Sequence, residues 1–229
     1  MRVLFVQPEA DDPPGLVGER LAELGAEIEV ADPREPLPDA LGFDLIVPLG
    51  SVDSAADDSV PYLSQQWRLL DGAVRAGVPV FGICFGAQLL CRVLGGSVEP
   101  APGGPEIGWL TLDVDPDDDL ERGPWVVWHE DVMTLPPAAR ELARTAVGTH
   151  AYTVGPHFGV QFHPEATGTE VAAWARGHAG AVADLDVLVA RIEADAEGAR
   201  RRVATLVDRV LAHAGISPRR GGVTSAQRW

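Results

Sequence analysis

The residues best placed to do chemistry lie in Gly82-Ile83-Cys84-Phe85-Gly86, which sets a thiol between glycines at −2 and +2. The apolar run before it, residues 78–83, reads as a buried strand, and residues 85–94 read as a helix ending at Gly95-Gly96. Cys84 therefore stands on a strand-to-helix turn. The glycines let the backbone turn sharply without a Cβ clash and present the thiol at the carboxyl edge of a sheet. Unpaired N–H groups and the dipole at the helix amino end favour a thiolate there. Cys91 falls mid-helix on an apolar face and reads as a core residue.

A thiol nucleophile needs a base, and the chain offers His129, His150, His157, His163, His178 and His213. His163 is followed at i+2 by a carboxylate in the proline-fixed segment Gln161-Phe162-His163-Pro164-Glu165. Residues two apart in an extended chain point the same way, so Glu165 can orient the His163 imidazole, and Pro164 biases His163 toward that extended form. His129 with Asp131 reads either as a polar pair near a site or as a capped turn.

Composition removes several alternatives. The 229 residues carry 34 acidic and 18 basic side chains, a net charge of −16 that repels phosphate backbones, so nucleic acid is not expected as a partner. All the cations are Arg. Without Lys there is no Schiff-base or P-loop lysine, and without Asn the group orienting a histidine must be Asp or Glu. Two cysteines cannot build a disulfide framework and suit a reducing compartment. The longest apolar stretch, residues 78–96, is interrupted by Gln88 and Arg92, so no membrane span is expected, and the opening strand-like run lacks a signal-peptide pattern. A cytoplasmic protein is the expectation.

The elements that must position Cys84 and His163 alternate as βαβ. Strands are expected at residues 2–7, 27–31, 44–48 and 79–83, and helices at 16–24, 63–76 and 85–94. This pattern predicts an α/β fold with an open, mostly parallel sheet flanked by helices. Residues 96–162 read as β-rich antiparallel additions to the same sheet. Beyond them, apolar residues from Leu185 to Val210 follow a helical stripe, predicting one long amphipathic helix or two broken near Gly198. The expected units are residues 1–178, a helical extension at 179–216, and a mobile tail at 217–229. The stripe can be covered by folding back on the core or by a second copy of the chain, which would make a homodimer.

Taken together, the stretches 82–90 and 159–165 resemble the class I, triad-type glutamine amidotransferases, with a flavodoxin-like core and close to the amidotransferase part of GMP synthase. Weaker likenesses occur at Pro48-Leu49-Gly50-Ser51, Glu106-Ile107-Gly108-Trp109 and Trp128-His129-Glu130-Asp131-Val132. The resemblance implies a Cys84–His163–Glu165 triad acting on L-glutamine or another γ-glutamyl compound, through a thioester. It implies an oxyanion hole from the N–H groups of Gly50 and Phe85, and substrate contacts from Gln88 and His129. Gln88 reads otherwise as a solvated helix residue. It implies no cofactor, and a separate synthase partner that receives the ammonia. A non-catalytic regulatory role is the reading from another class.

Two departures bear on these expectations. Leu49-Gly50 stands where the family usually has Gly-Gly, so a left-handed backbone at the first position would strain the oxyanion loop. Thr149-His150-Ala151 stands where relatives often place Asn-Gln. The segment Gly50-Ser51-Val52-Asp53-Ser54 echoes an ATP-phosphate loop, but Asp57 and Asp58 would repel phosphate. The aspartates of residues 113–119 lack the spacing of a calcium loop and read as a solvated turn, and no metal site is expected.

Overall fold

The computed structural model describes residues 1–177 and 182–217. In chain order the elements are β1 (Arg2–Val6), α1 (Gly15–Glu23), β2 (Glu27–Ala31), β3 (Leu45–Pro48), α2 (Leu63–Ala76), β4 (Phe81–Ile83) and α3 (Phe85–Val93). There follow β5 (Ser97–Pro100), β6 (Glu106–Leu110), β7 (Asp113–Val114), β8 (Trp125–His129), β9 (Asp131–Thr134), β10 (Arg140–Arg144), β11 (Thr149–Val154) and β12 (His157–Val160). Three helices close the described chain: α4 (Gly168–Gly177), α5 (Leu185–Ala194) and α6 (Ala196–His213).

The central sheet runs β2-β1-β3, is joined to β4 through the Ile46–Val80 bridge, and continues β4-β12-β11-β10-β7. The pairs β2/β1, β1/β3 and β4/β12 are parallel, and β12/β11, β11/β10 and β10/β7 are antiparallel. The alternation of β1 sorts its side chains to two sides. Val3 and Phe5 pack with α1 and α6, while Leu4 and Val6 pack with α2 and α3. Both faces are therefore covered, which is why these strands are short apolar runs.

The expected antiparallel additions divide. β7, β10, β11 and β12 extend the central sheet as read, but β6/β8 and β5/β9 form separate two-stranded ribbons. The reason lies in β8, which is apolar on both faces. Trp125 stacks on Phe162 toward the core, while Val126 joins Ala166, Val171 and Ile192 on the other side. β8 thus packs as a layer between the core at Phe162 and helices α4 and α5.

The C-terminal stripe folds back. Val203, Leu206, Val207 and Val210 are buried in the cluster that holds α1 and β1, so the chain itself covers the face that a second copy was expected to compete for. Ion pairs flank this contact: Arg20 bonds Asp208 at 2.8 Å, and Arg200 pairs with Glu19. The break between α5 and α6 falls at Asp195, ahead of Gly198. Asp195 turns its carboxylate over Gly198 to reach Arg202 at 2.8 Å, and a Cβ on Gly198 would lie 2.1 Å from Asp195 Oδ1. The aspartate run is not simply solvated, because Asp118 and Asp119 take Arg209 of α6 and Asp115 takes Arg140. Most of the predicted tail, from residue 218 onward, lies outside the described residues.

The buried α6 face and its exposed rim are expected to differ sharply in weight. Leu206→Ala should lower the unfolding free energy in urea by about 2–5 kcal/mol through transfer and cavity terms. Arg200→Ala, at a pair that is about half exposed on both sides, should cost less than about 1 kcal/mol.

Candidate active site

Cys84 has φ 50° and ψ −112°, the one positive φ among described non-glycine residues. Such a conformation costs on the order of 1–3 kcal/mol and persists only where surroundings impose it. Here they do. The Cys84 N–H donates to Val160 O at 2.8 Å, and the Gly86 N–H donates to Leu49 O at 3.1 Å. A Cβ on Gly86 would lie 2.0 Å from Pro48 O, and one on Gly82 would lie 2.7 Å from Ala87 Cα. The glycines are thus required by close backbone approach on both sides of Cys84.

His163 arrives from the other half of the chain. Its N–H donates to Val126 O at 2.8 Å, and its ring lies 4.7 Å from that of Trp174. Nδ1 donates to Glu165 Oε1 at 2.5 Å. Nε2 lies 3.4 Å from the carbonyl oxygen of Trp128, and Cys84 Sγ lies 3.8 Å from the same oxygen, so sulfur and imidazole converge. Burial would lower the His163 pKa, but the charges and hydrogen bonds of Cys84 and Glu165 outweigh it and hold the imidazole well above its ordinary value. Glu165 is fully buried.

Gly50 sits against this group. A Cβ there would meet Asp12 Oδ2 at 2.6 Å and His163 Cε1 at 3.0 Å, so glycine alone fits without displacement. Leu49 has no positive φ; it is buried, and its N–H donates to Val6 O at 3.0 Å. The strain anticipated for leucine in the Leu49-Gly50 pair does not arise. Phe85, the first residue of α3, presents an N–H at the helix amino end beside Cys84.

Gln88 and His129 both line the cleft, but their polar atoms are partly taken up. Gln88 Nε2 donates to Gln161 Oε1 at 3.1 Å and faces Asp131 O at 3.3 Å. It is buried, so the solvated alternative falls away. His129 faces Asp131 O through Nδ1 at 2.9 Å and Glu106 Oε2 through Nε2 at 3.1 Å, which makes it a support for the Asp131 loop rather than a free contact. The Asp131 side chain is held in turn by Ser54 Oγ at 2.5 Å.

Three participants were not singled out from the sequence. Gln161 donates from Nε2 to Cys84 Sγ at 3.6 Å. It stands beside His163 in the motif, and strand alternation could have placed it on the opposite side from Phe162. Glu106 gathers His129, His150 at 2.8 Å and Thr145 at 3.1 Å, and these donors hold its carboxyl far below the usual range despite burial. Asp12, in the turn before α1, is 2 % exposed and lies beside His163 and Glu165, with no pattern in the sequence to mark it.

The cleft has a volume of about 270 Å³, and its lining includes the carboxylates of Glu9, Asp11, Asp53, Glu130 and Asp131 but no Arg among the described residues. Ser51 and Ser54 spend their hydroxyls on Glu9, Tyr62 and Asp131, which leaves the phosphate-loop echo without its donors. Among the described residues no helix is long and apolar enough to cross a membrane.

A parallel-sheet α/β fold with a cysteine elbow at one strand end and a carboxylate-oriented histidine facing it defines a cysteine-nucleophile hydrolase-like site. Likeness to known proteins narrows that class. The family described as glutamine amidotransferase class-I matches residues 16–174. The chain is 34 % identical over 164 residues to a glutamine-hydrolysing GMP synthase subunit of Ignicoccus hospitalis, covering 68 % of this chain and 84 % of that one. It is 31 % identical to the protein of the same name from Saccharolobus solfataricus, covering 68 % and 85 %. A glutamine amidotransferase structure from Thermotoga maritima superposes with a TM-score of 0.83 at 23 % identity over 92 % of this chain and 98 % of that one. One from Methylobacillus flagellatus gives 0.76 at 25 % over 93 % and 94 %. The chain belongs to the class I glutamine amidotransferase family.

The two thiols are expected to react very differently. Burial pushes the Cys91 thiol up to about 11, and it donates to Thr134 O at 3.5 Å, whereas Cys84 lines the cleft. Limited iodoacetamide treatment should alkylate Cys84 and spare Cys91, as read by peptide mass spectrometry.

Proposed function

We propose that this chain hydrolyses the side-chain amide of L-glutamine, with Cys84, His163 and Glu165 as the triad. The observation that carries the reading is the convergence of Cys84 Sγ and His163 Nε2 on one carbonyl oxygen, with His163 Nδ1 held by Glu165 at 2.5 Å. Cys84 passes its thiol proton to His163 and Sγ attacks the carboxamide carbon, and the carbonyl electrons move to an oxyanion received by the Phe85 and Gly50 N–H groups. Each such donor contributes about 2.7–4 kcal/mol in acyl transfer. Collapse breaks the C–N bond, His163 gives its proton to the leaving nitrogen, and ammonia departs from a γ-glutamyl thioester. His163 then takes a proton from water, whose oxygen attacks the thioester carbon; the C–S bond breaks, its electron pair returns to Cys84 as thiolate, and glutamate leaves.

The acidic lining suits the ammonium of an amino acid and opposes phosphate. The modest volume lies just below the roughly 300–1,000 Å³ typical of drug-sized ligands, which favours glutamine over larger γ-glutamyl conjugates. The ordinary backbone of Leu49 supports catalysis over a purely regulatory role. The ammonia acceptor in this reading is a separate synthase chain in the cytoplasm. Its support is that relatives named as glutamine-hydrolysing GMP synthase subunits match over most of their length.

Purified chain given L-glutamine should release glutamate, and Cys84→Ala should abolish the release while His163→Ala lowers it by about 10²–10⁴-fold. A wild-type protein that alkylates at Cys84 yet releases no glutamate, with γ-glutamyl peptides cleaved instead, overturns the glutamine assignment. The pH profile carries a sign. His163 is protonated below its raised value and must be so to protonate the leaving nitrogen, so kcat/KM should hold through neutral pH instead of falling near the unperturbed histidine value of about 6.5.

A further inference from the structure

Glu165 has two carboxylate oxygens and only one of them is accounted for. Oε1 accepts from His163, whereas Oε2 is buried without a donor. Oδ1 and Oδ2 of Asp12 are also buried without donors. Carboxylate oxygens of Asp12 and Glu165 and a ring nitrogen of His163 lie within 4.8 Å of one another. Two bare carboxylates at that distance, removed from water, repel and leave their lone pairs unsatisfied, and a single shared proton relieves both penalties.

The loop carrying Asp12 grips Glu165 a second time, through the backbone. The Leu16 N–H donates to Glu165 O at 3.0 Å, and Gly15 (φ 45°) packs so tightly that a Cβ there would lie 2.1 Å from that oxygen. The backbone of Glu165 is thus held, and its side chain approached, by one five-residue stretch that runs from the loop after β1 into the first turn of α1.

Resting on the triad reading above, we propose that Asp12 is a positioning residue whose neutral carboxylic acid donates its proton to Glu165 Oε2, fixing the carboxylate that orients His163. The titratable groups facing Asp12 are Glu165 and His163, with Cys84 beyond His163. Burial, then the charge of Glu165, push the Asp12 carboxyl well above the usual carboxylate range, against the opposing pulls of His163 and the Gly50 N–H, which favours its protonated form. Asp12 touches neither sulfur nor substrate in this scheme and acts through Glu165.

The test compares Asp12→Ala with Asp12→Asn, whose amide can still donate to Glu165; Asp12→Val replaces Ala if the Ala variant does not fold. Loss of a charge-assisted hydrogen bond should lower kcat for glutamine by about tenfold or more in Asp12→Ala with KM little changed. The pH–rate profile for Cys84 alkylation by iodoacetamide should move to higher pH. Asp12→Asn should return both readings toward wild type. Thermal unfolding gives an independent sign. Native Asp12 keeps a proton that the unfolded chain releases above the ordinary carboxylate range, so rising pH favours unfolding of the wild type there. Asp12→Asn lacks this dependence, and its Tm advantage should grow from about pH 4 to about pH 8. An Asp12→Asn variant as impaired as Asp12→Ala, or a Tm difference that stays flat with pH, overturns the proposal. If wild type releases no glutamate, the glutaminase reading fails, while the alkylation and unfolding measurements still decide the role of Asp12.

Discussion

The site depends on how closely two pieces of backbone approach each other at Gly86 and Pro48. With no Cβ at Gly86, α3 can start against the end of β3, and the Gly86 N–H can reach Leu49 O. That contact, with the Cys84–Val160 hydrogen bond on the other side, forces Cys84 into its positive φ. A side chain on a relaxed turn would point elsewhere. The strain is local and is offset by the buried parallel strands on either side, which cannot shift without disturbing both hydrophobic layers.

Around that turn the polar groups form one connected set. Gln88 leads to Gln161 and on to the sulfur, while Glu106 ties His129 and His150 to the Asp131 loop. In a low-dielectric interior such groups are worth most when fully paired. The two ribbons outside the central sheet are what bring His129 and Asp131 to the cleft and Glu106 against His129, so the departure from a single extended sheet is tied to the site itself.

Much of this was legible in the sequence because the signals are local. The elbow is a five-residue pattern, His163 and Glu165 are two residues apart, and α2 runs over residues 63–76 as its apolar spacing indicates. What could not be read depends on partners distant in sequence. Asp12 meets Glu165 across the whole domain, Glu106 meets His150 over 44 positions, and the aspartates that read as a solvated turn find Arg209 only after α6 folds back. The stripe of α6 announced a buried face but was silent on whose surface buries it. The break near Gly198 was legible, but its place at Asp195 was not, because it involves a carboxylate that reaches Arg202 over the glycine.

The grip of the β1–α1 loop on Glu165 also has a bearing on the order in which the chain acquires reactivity. Contacts between residues 12–16 and residue 165 close a very long loop, and such contacts form late because their entropic cost precedes their reward. The elbow of Cys84 waits on the same stretch, because the Val160 O that receives its N–H lies in β12, five residues before Glu165. The strained turn at Cys84 and the seating of Glu165 beside His163 therefore arrive together, when the two ends of the domain meet.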